Sequence, residues 1–244
     1  MRRLLASVGV GNASVDTVLP SETVVPGEEV TADVQISGGD VRQEVGTVRV
    51  EIETRYRTED GTRETDLARF VVTEDLVIEP EEERLEEVTF RVPYNTPITE
   101  GDASVWVETE LDIDLAVDPE DTDHLSVRPT PRLQTVFDAM EQLGFSLYTA
   151  DCEDDPYTRY GDGGFVQEFE FRAVEGRFRG AVDEIELVAR PGPDALELFV
   201  EVDRREGLLS ELAETDEQLT RTTLATTDTD QVREELATLI EQYS

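Results

Sequence analysis

The chain has 244 residues, 38% of them hydrophobic, enough to bury a core in one large domain or two smaller ones. Its 58 acidic residues outnumber 21 basic ones for a formal charge of −37, and every basic residue is arginine, because lysine is absent. That balance excludes nonspecific binding to nucleic acid or to an anionic membrane face, since both need basic patches.

Carboxylates on this scale repel one another in dilute buffer and are screened at molar salt, where the Debye length falls to about 3 Å. They alternate with apolar residues inside strand-like segments and form no single run, so a salt-rich cytosol is expected and an acidic disordered tail is not. Removing salt is expected to loosen the fold.

The chain opens on Met1-Arg2-Arg3-Leu4-Leu5, basic and then apolar, but the apolar stretch breaks at Gly9 and Gly11 without a cleavage site. A signal peptide is not expected. The segment Arg2–Val10 reads as packing on the protein's own sheet or, alternatively, as a docking element. Gly9-Val10-Gly11 follows no strand and lacks the third glycine of a dinucleotide loop, so no cofactor is expected there.

From Ala13 to about Val127 apolar and polar residues alternate with period two, the mark of strands with one face buried. Val30, Ala32, Val34 and Ile36 alternate with Glu29, Thr31, Asp33 and Gln35, and Val48, Val50, Ile52 and Tyr56 with Arg49, Glu51, Glu53 and Arg55. The acids of these strands are expected on the wet face. Further strands are expected at Ala13–Leu19, Leu67–Ile78, Leu85–Val92, Ala103–Ile113 and His124–Arg128. Turns fall at Pro26-Gly27, Gly38-Gly39, Asp60-Gly61 and Pro93 to Pro97. Seven or so strands without helices between them predict an antiparallel sandwich of about immunoglobulin size over residues 1–128.

At Pro129-Thr130-Pro131 the pattern changes, and a second, β-rich domain is expected over 129–244. A helix over about 131–143 has Thr130 as cap, Pro131 in its first turn, an apolar stripe of Leu133, Val136, Phe137, Met140 and Leu143, and Gly144 as terminator. A short strand and an acidic, glycine-rich loop over Asp151–Gly164 follow, then strands at Phe165–Ala173, Phe178–Ala189 and Leu196–Asp203. Val232, Leu236, Leu239, Ile240 and Tyr243 predict a terminal helix over about 230–243. No apolar run approaches the roughly 20 residues that cross a bilayer, and a cytoplasmic protein is expected.

Candidate chemistry is sparse. Asp112, Asp114, Asp118, Glu120, Asp121, Asp123 and His124 could ligate Ca²⁺ or Mg²⁺, yet counting from Asp118 the positions that demand Gly and Glu hold Asp123 and Pro129. No metal site is expected, and His124, the sole histidine, removes any reading with two imidazole ligands. Cys152 is the sole cysteine, so no internal disulfide forms; Asp151 and Glu153 beside it disfavour the thiolate. Glu168 and Glu170 share a strand face, as a glycosidase pair would, but read as the wet face opposite Phe169 and Phe171. Trp106 and Tyr94 read as half-buried aromatics in preference to a sugar platform. Catalytic, cofactor-binding and metal residues are all expected to be none.

The segments LLASVGVGNASVDT (4–17), VPGEEVTADVQISGG (25–39), VWVETELDIDLAVDPEDTDHLSVRPTP (105–131), FVQEFEFR (165–172), FRGAVDEIEL (178–187) and LFVEVDRR (198–205) resemble the sporulation-control (SpoOM) family, in order from residue 4 to about 205. The resemblance implies a mostly β fold with an N-terminal arrestin-like sandwich, a second β-rich domain, and a cytoplasmic regulatory or scaffolding role without catalytic residues. The expected function is therefore a non-enzymatic adaptor for an unidentified protein partner, with a homodimer as one arrangement. The alternative class is a metal-dependent or carbohydrate-binding module that uses the acidic loops.

Overall fold

The computed structural model describes residues 12–113, 118–157, 159–160, 163–204 and 219–243. It divides into two units: one takes the chain up to Arg55 with Glu64–Thr96 and Ser104–Val127, and the other takes Tyr56–Arg63, Pro97–Ala103 and the chain from Arg128 onward.

In the first unit, β1 (Ser14–Val18), β3 (Glu29–Ser37) and β6 (Glu83–Arg91) form an antiparallel sheet in the order β1-β3-β6. A second layer runs β4 (Gln43–Thr58), β7 (Val105–Ile113), β8 (Glu120–Val127) and β2 (Thr23–Val24), with β2 parallel to β8 and β5 (Gly61–Ile78) paired to β4. Alternation sets which face is dry: Val30, Ala32, Val34 and Ile36 of β3 are buried, as are Val48, Val50 and Ile52 of β4. Each valine or isoleucine among them contributes about 1.5–3 kcal/mol of burial. Val45 and Val48 are both buried despite their odd spacing because a bulge between them shifts the register against β7. The layers meet at Thr17, whose hydroxyl shares a 2.7 Å hydrogen bond with that of Thr109 and whose N–H donates to Asp121 Oδ2 at 2.7 Å.

The second unit is an antiparallel meander backed by helices. Its strands β9 (Phe145–Asp154), β10 (Phe165–Ala173), β11 (Val182–Pro191), β12 (Leu196–Arg204) and β13 (Thr220–Leu224) pair in chain order. Helix α1 (Pro131–Gln142) begins as the sequence predicts, with Thr130 Oγ1 accepting from the Leu133 N–H at 3.4 Å, and ends at Gly144, whose φ of 91° lies in the left-handed region. Its buried residues Leu133, Val136, Ala139 and Met140 pack with Val232, Leu236 and Ile240 of α2 (Thr229–Tyr243). Phe137 meets Phe169 edge-on at 5.1 Å, which places the helices on the Phe169 and Phe171 face of the sheet. The other face carries carboxylates.

The mostly β class, the two helices and most strand positions follow the sequence expectation. Strands β2 and β13 have no counterpart in that expectation, and three further details differ. Strand β9 extends through Asp154, where a loop from Asp151 is expected, because Ala150 and Cys152 continue the buried alternation. The loop instead starts at Asp155, a buried carboxylate that accepts from the Arg159 and Tyr160 N–H groups at 2.8 and 2.9 Å. Residues 178–181 form a turn ahead of β11, held by the Ala181 N–H to Phe178 C=O bond at 3.0 Å, and Phe178 packs on Phe145 in the core.

Candidate functional site

The register of β4 against β7 puts Glu51 opposite Glu108 and Glu53 opposite Trp106. Both β4 acids sit on the face expected to be wet, and the structure corrects that expectation: Glu51 is 7% and Glu53 is 9% exposed. With Glu108, their carboxylate oxygens lie within 4.8 Å of one another. Two cations reach this group. Arg69 of β5 hydrogen-bonds Glu51 and, at 2.8 Å, Asp66; Arg49 lies 3.6 Å from Glu51 and 2.8 Å from Glu110.

Burial, then the charges of Glu108, Asp66 and Glu51, push the Glu53 carboxyl up to about 7. Burial and the neighbouring acids Glu120, Glu51 and Glu110 raise Glu108 as well. Like charges this close do not all ionise together, so Glu53 keeps a proton toward neutral pH and hydrogen-bonds Glu51 with it. A hard divalent cation is the other occupant such oxygens could take. The Glu53 proton and the Arg69 guanidinium, which is shared with Asp66, offset part of the charge of the group.

A second carboxylate pair lies on the open face of the meander. Glu168 of β10 is pushed up to about 8, first by burial and then by Glu186 of β11, which is itself raised chiefly by burial. The two share a proton across the strands. Glu168 thus pairs with Glu186 and not with Glu170, which the register sets opposite Glu186.

Among the described residues, the acids of the segment before the second unit divide between different partners and faces. Asp112 is exposed, Asp118 Oδ1 accepts from the Ile113 N–H at 2.9 Å, and Asp121 accepts from Thr17. Glu120, Asp121, Asp123 and His124 all stand on strand β8, whose alternation turns Glu120 and His124 to one side and Asp121 and Asp123 to the other. Burial and Asp121, Asp16 and Glu22 raise the Asp123 carboxyl. His124 is exposed and meets the buried Trp106 edge-on at 6.3 Å. The Tyr94 ring lies over Gly27, where an added Cβ would come within 2.5 Å of it, and Trp106 is buried. Asp114, Gly9-Val10-Gly11 and Arg2–Val10 lie outside the described residues.

Cys152 is buried, and burial ahead of the Asp151 charge pushes its thiol up to about 12. The sequence names the flanking acids; the larger cause is the position in β9. Sequence reasoning misses the Glu51, Glu53 and Glu108 group altogether. Its faint signal is the unusual length of β4 and β5, 16 and 18 residues, in a hairpin whose second strand is mostly polar.

Two β-rich units, one of packed sheets and one a helix-backed meander, with acids joined by arginines or shared protons across strands, define the class of protein. The model of the SpoOM protein family matches residues 1–206, and the chain belongs to that family. It is 38% identical over 254 residues to the sporulation-control protein spo0M of Bacillus subtilis (strain 168), covering 100% of this chain and 98% of that one. The crystal structure of Spo0M from Bacillus subtilis matches with a TM-score of 0.87 at 37% identity, over 96% of this chain and 100% of the other. Among the described residues no helix is long and apolar enough to cross a membrane.

Proposed function

We propose that this chain is a cytoplasmic regulatory protein of the sporulation-control type that acts by binding other proteins and performs no chemistry of its own. The observation that carries the reading is the likeness to a protein named for sporulation control, which runs the length of both chains. The state of the reactive groups supports it: the Cys152 thiol is buried and held protonated, and the raised carboxyls of Glu53 and Glu168 turn toward other acids on their own sheets. The N-terminal unit as an arrestin-like scaffold belongs to the same proposal, since sheet edges and faces of that kind receive partner segments.

The test is affinity capture of the tagged full chain from its native cells at molar KCl. A co-purifying protein in fixed stoichiometry is the expected result. A chain that elutes alone, and that gives saturable heat with Ca²⁺ or an oligosaccharide in the same salt, moves the assignment to a ligand-binding module.

A further inference from the structure

Helix α1 has two working faces. Leu133, Val136, Ala139 and Met140 go to the core, whereas Gln134, Phe137, Asp138 and Glu141, also at helical spacing, border an open groove of about 350 Å³ against the start of β9. Its floor is aromatic, formed by Phe137, Phe145 and Phe171, with Leu147 and Val174 completing the apolar surface. The rings are held in place from behind: Phe137 packs at 5.1 Å on Phe169 and 5.8 Å on Phe171, and Phe145 at 5.6 Å on Phe178. Val174, at the lip, is 52% exposed.

The lip is fastened to the helix end. The Gly144 carbonyl accepts from the N–H groups of Val174 and Glu175 at 2.9 and 3.1 Å, and a Cβ at position 144 would come within 2.3 Å of the Glu175 carbonyl. Only glycine allows that approach.

Charge identifies what enters. Asp138, Glu141 and Glu175 stand around the apolar floor, and among the described residues no arginine lines the groove. Elsewhere in this unit acids meet arginines: Glu184 with Arg172, Glu197 with Arg190 and Arg221, and Glu241 with Arg177. The last turn of α1 carries no basic residue either, so the negative end of the helix dipole adds to the rim. Anionic ligands are repelled here. A purely apolar one leaves the rim unused.

We propose that this groove is the docking site for a basic segment of a partner protein, one that places one or two large apolar side chains on the phenylalanine floor between arginines or lysines that meet the rim. The inference rests on the reading of the chain as a protein-binding regulator and names the surface. The volume lies near the low end of sites that bind small ligands, roughly room for two large side chains.

The experiment uses the full chain at molar KCl and synthetic peptides in which Leu-Leu or Phe-Phe is flanked by arginines, glutamines or glutamates, read by fluorescence anisotropy. The arginine set is expected to bind about tenfold more tightly than the glutamate set, and to lose about tenfold in the surface triple variant D138N/E141Q/E175Q. Val174→Asp, at an exposed position, is expected to weaken all sets. Equal binding of the three sets, or an unchanged affinity in the triple variant, overturns the proposal. So does a dimer in light scattering that becomes monomeric in V174D, which makes the groove an interface between copies. A gain in peptide affinity on deleting residues 2–10 assigns the groove to this chain's own arginine-leucine segment and likewise overturns a partner's claim. Partners captured equally by wild type and V174D sink the groove while leaving the protein-binding function intact.

Discussion

Both units shelter acids with a retained proton, Glu53 against Glu51 in the first and Glu168 against Glu186 in the second, but in the first an arginine also reaches the enclosed pair. In the first, Glu51 is almost fully enclosed and has arginines at hand, Arg69 bonded to it and Arg49 nearby. In the second, Glu168 and Glu186 hold only a proton between them, while the neighbouring arginines Arg172 and Arg190 lie against Glu184 and Glu197. The difference shows two routes by which a chain with 58 acids and 21 arginines can take carboxylates out of water. Both depend on pH, and the first depends as well on Arg69, eighteen residues along the chain from Glu51.

Dilution of salt is expected to have the largest effect, because it acts on every acid at once. Lowering KCl from molar to about 0.01 M lengthens the screening distance from about 3 to about 30 Å. The circular-dichroism melting temperature of the whole chain is expected to fall, and a melt unchanged by salt would remove charge repulsion from the account.

Next in size is Arg69→Met. It leaves Glu51 enclosed without its nearest cation, and a cost of about 2 kcal/mol is expected, discounted for the exposure of the arginine, or roughly 4–8 °C in Tm. A loss below 1 °C would mean that Arg49 or a proton serves Glu51 equally well.

The shared protons predict a pH profile whose sign is fixed. Glu53 and Glu168 are raised from 4.5 to about 7 and about 8, so the folded chain retains protons that the unfolded chain releases. Their contribution is full below about 4.5 and is lost as pH rises through 7 and then 8. At constant molar KCl, Tm is therefore expected to fall between pH 5 and pH 8. The double variant E53Q/E168Q should flatten the profile and gain about 2–4 °C at pH 8. An unaltered slope would place the titration elsewhere.

The smallest effect sharpens the contrast. Arg172→Met removes the exposed partner of Glu184, and a change of at most about 1 kcal/mol is expected in a denaturant titration, well below that of Arg69→Met.

How much of this was legible beforehand follows from what period and composition carry. Val30 to Ile36 display their face directly, and Thr130, Pro131 and Gly144 mark the ends of α1 because caps and terminators are local chemistry. Period two says that Glu51 and Glu53 share a face but not whether that face is covered. Covering depends on β5, and no local pattern announces that Arg69 will come to Glu51. The Glu168 and Glu186 pairing is hidden for the same reason: it is a diagonal between strands, set by the register of β10 on β11. Strand β13, the sequence Thr-Arg-Thr-Thr-Leu, has too little apolar content to stand out until β12 supplies a partner.

The thiol of Cys152 turns the core of the second unit into its own clock. Enclosed in β9 and held protonated, it is hidden from alkylating and disulfide reagents while the strand is paired, and it is the one sulfhydryl in the sequence. Each modification event therefore timestamps an excursion of β9 away from its neighbours, so the unlabelled native chain reports its own breathing in whatever brine it is placed.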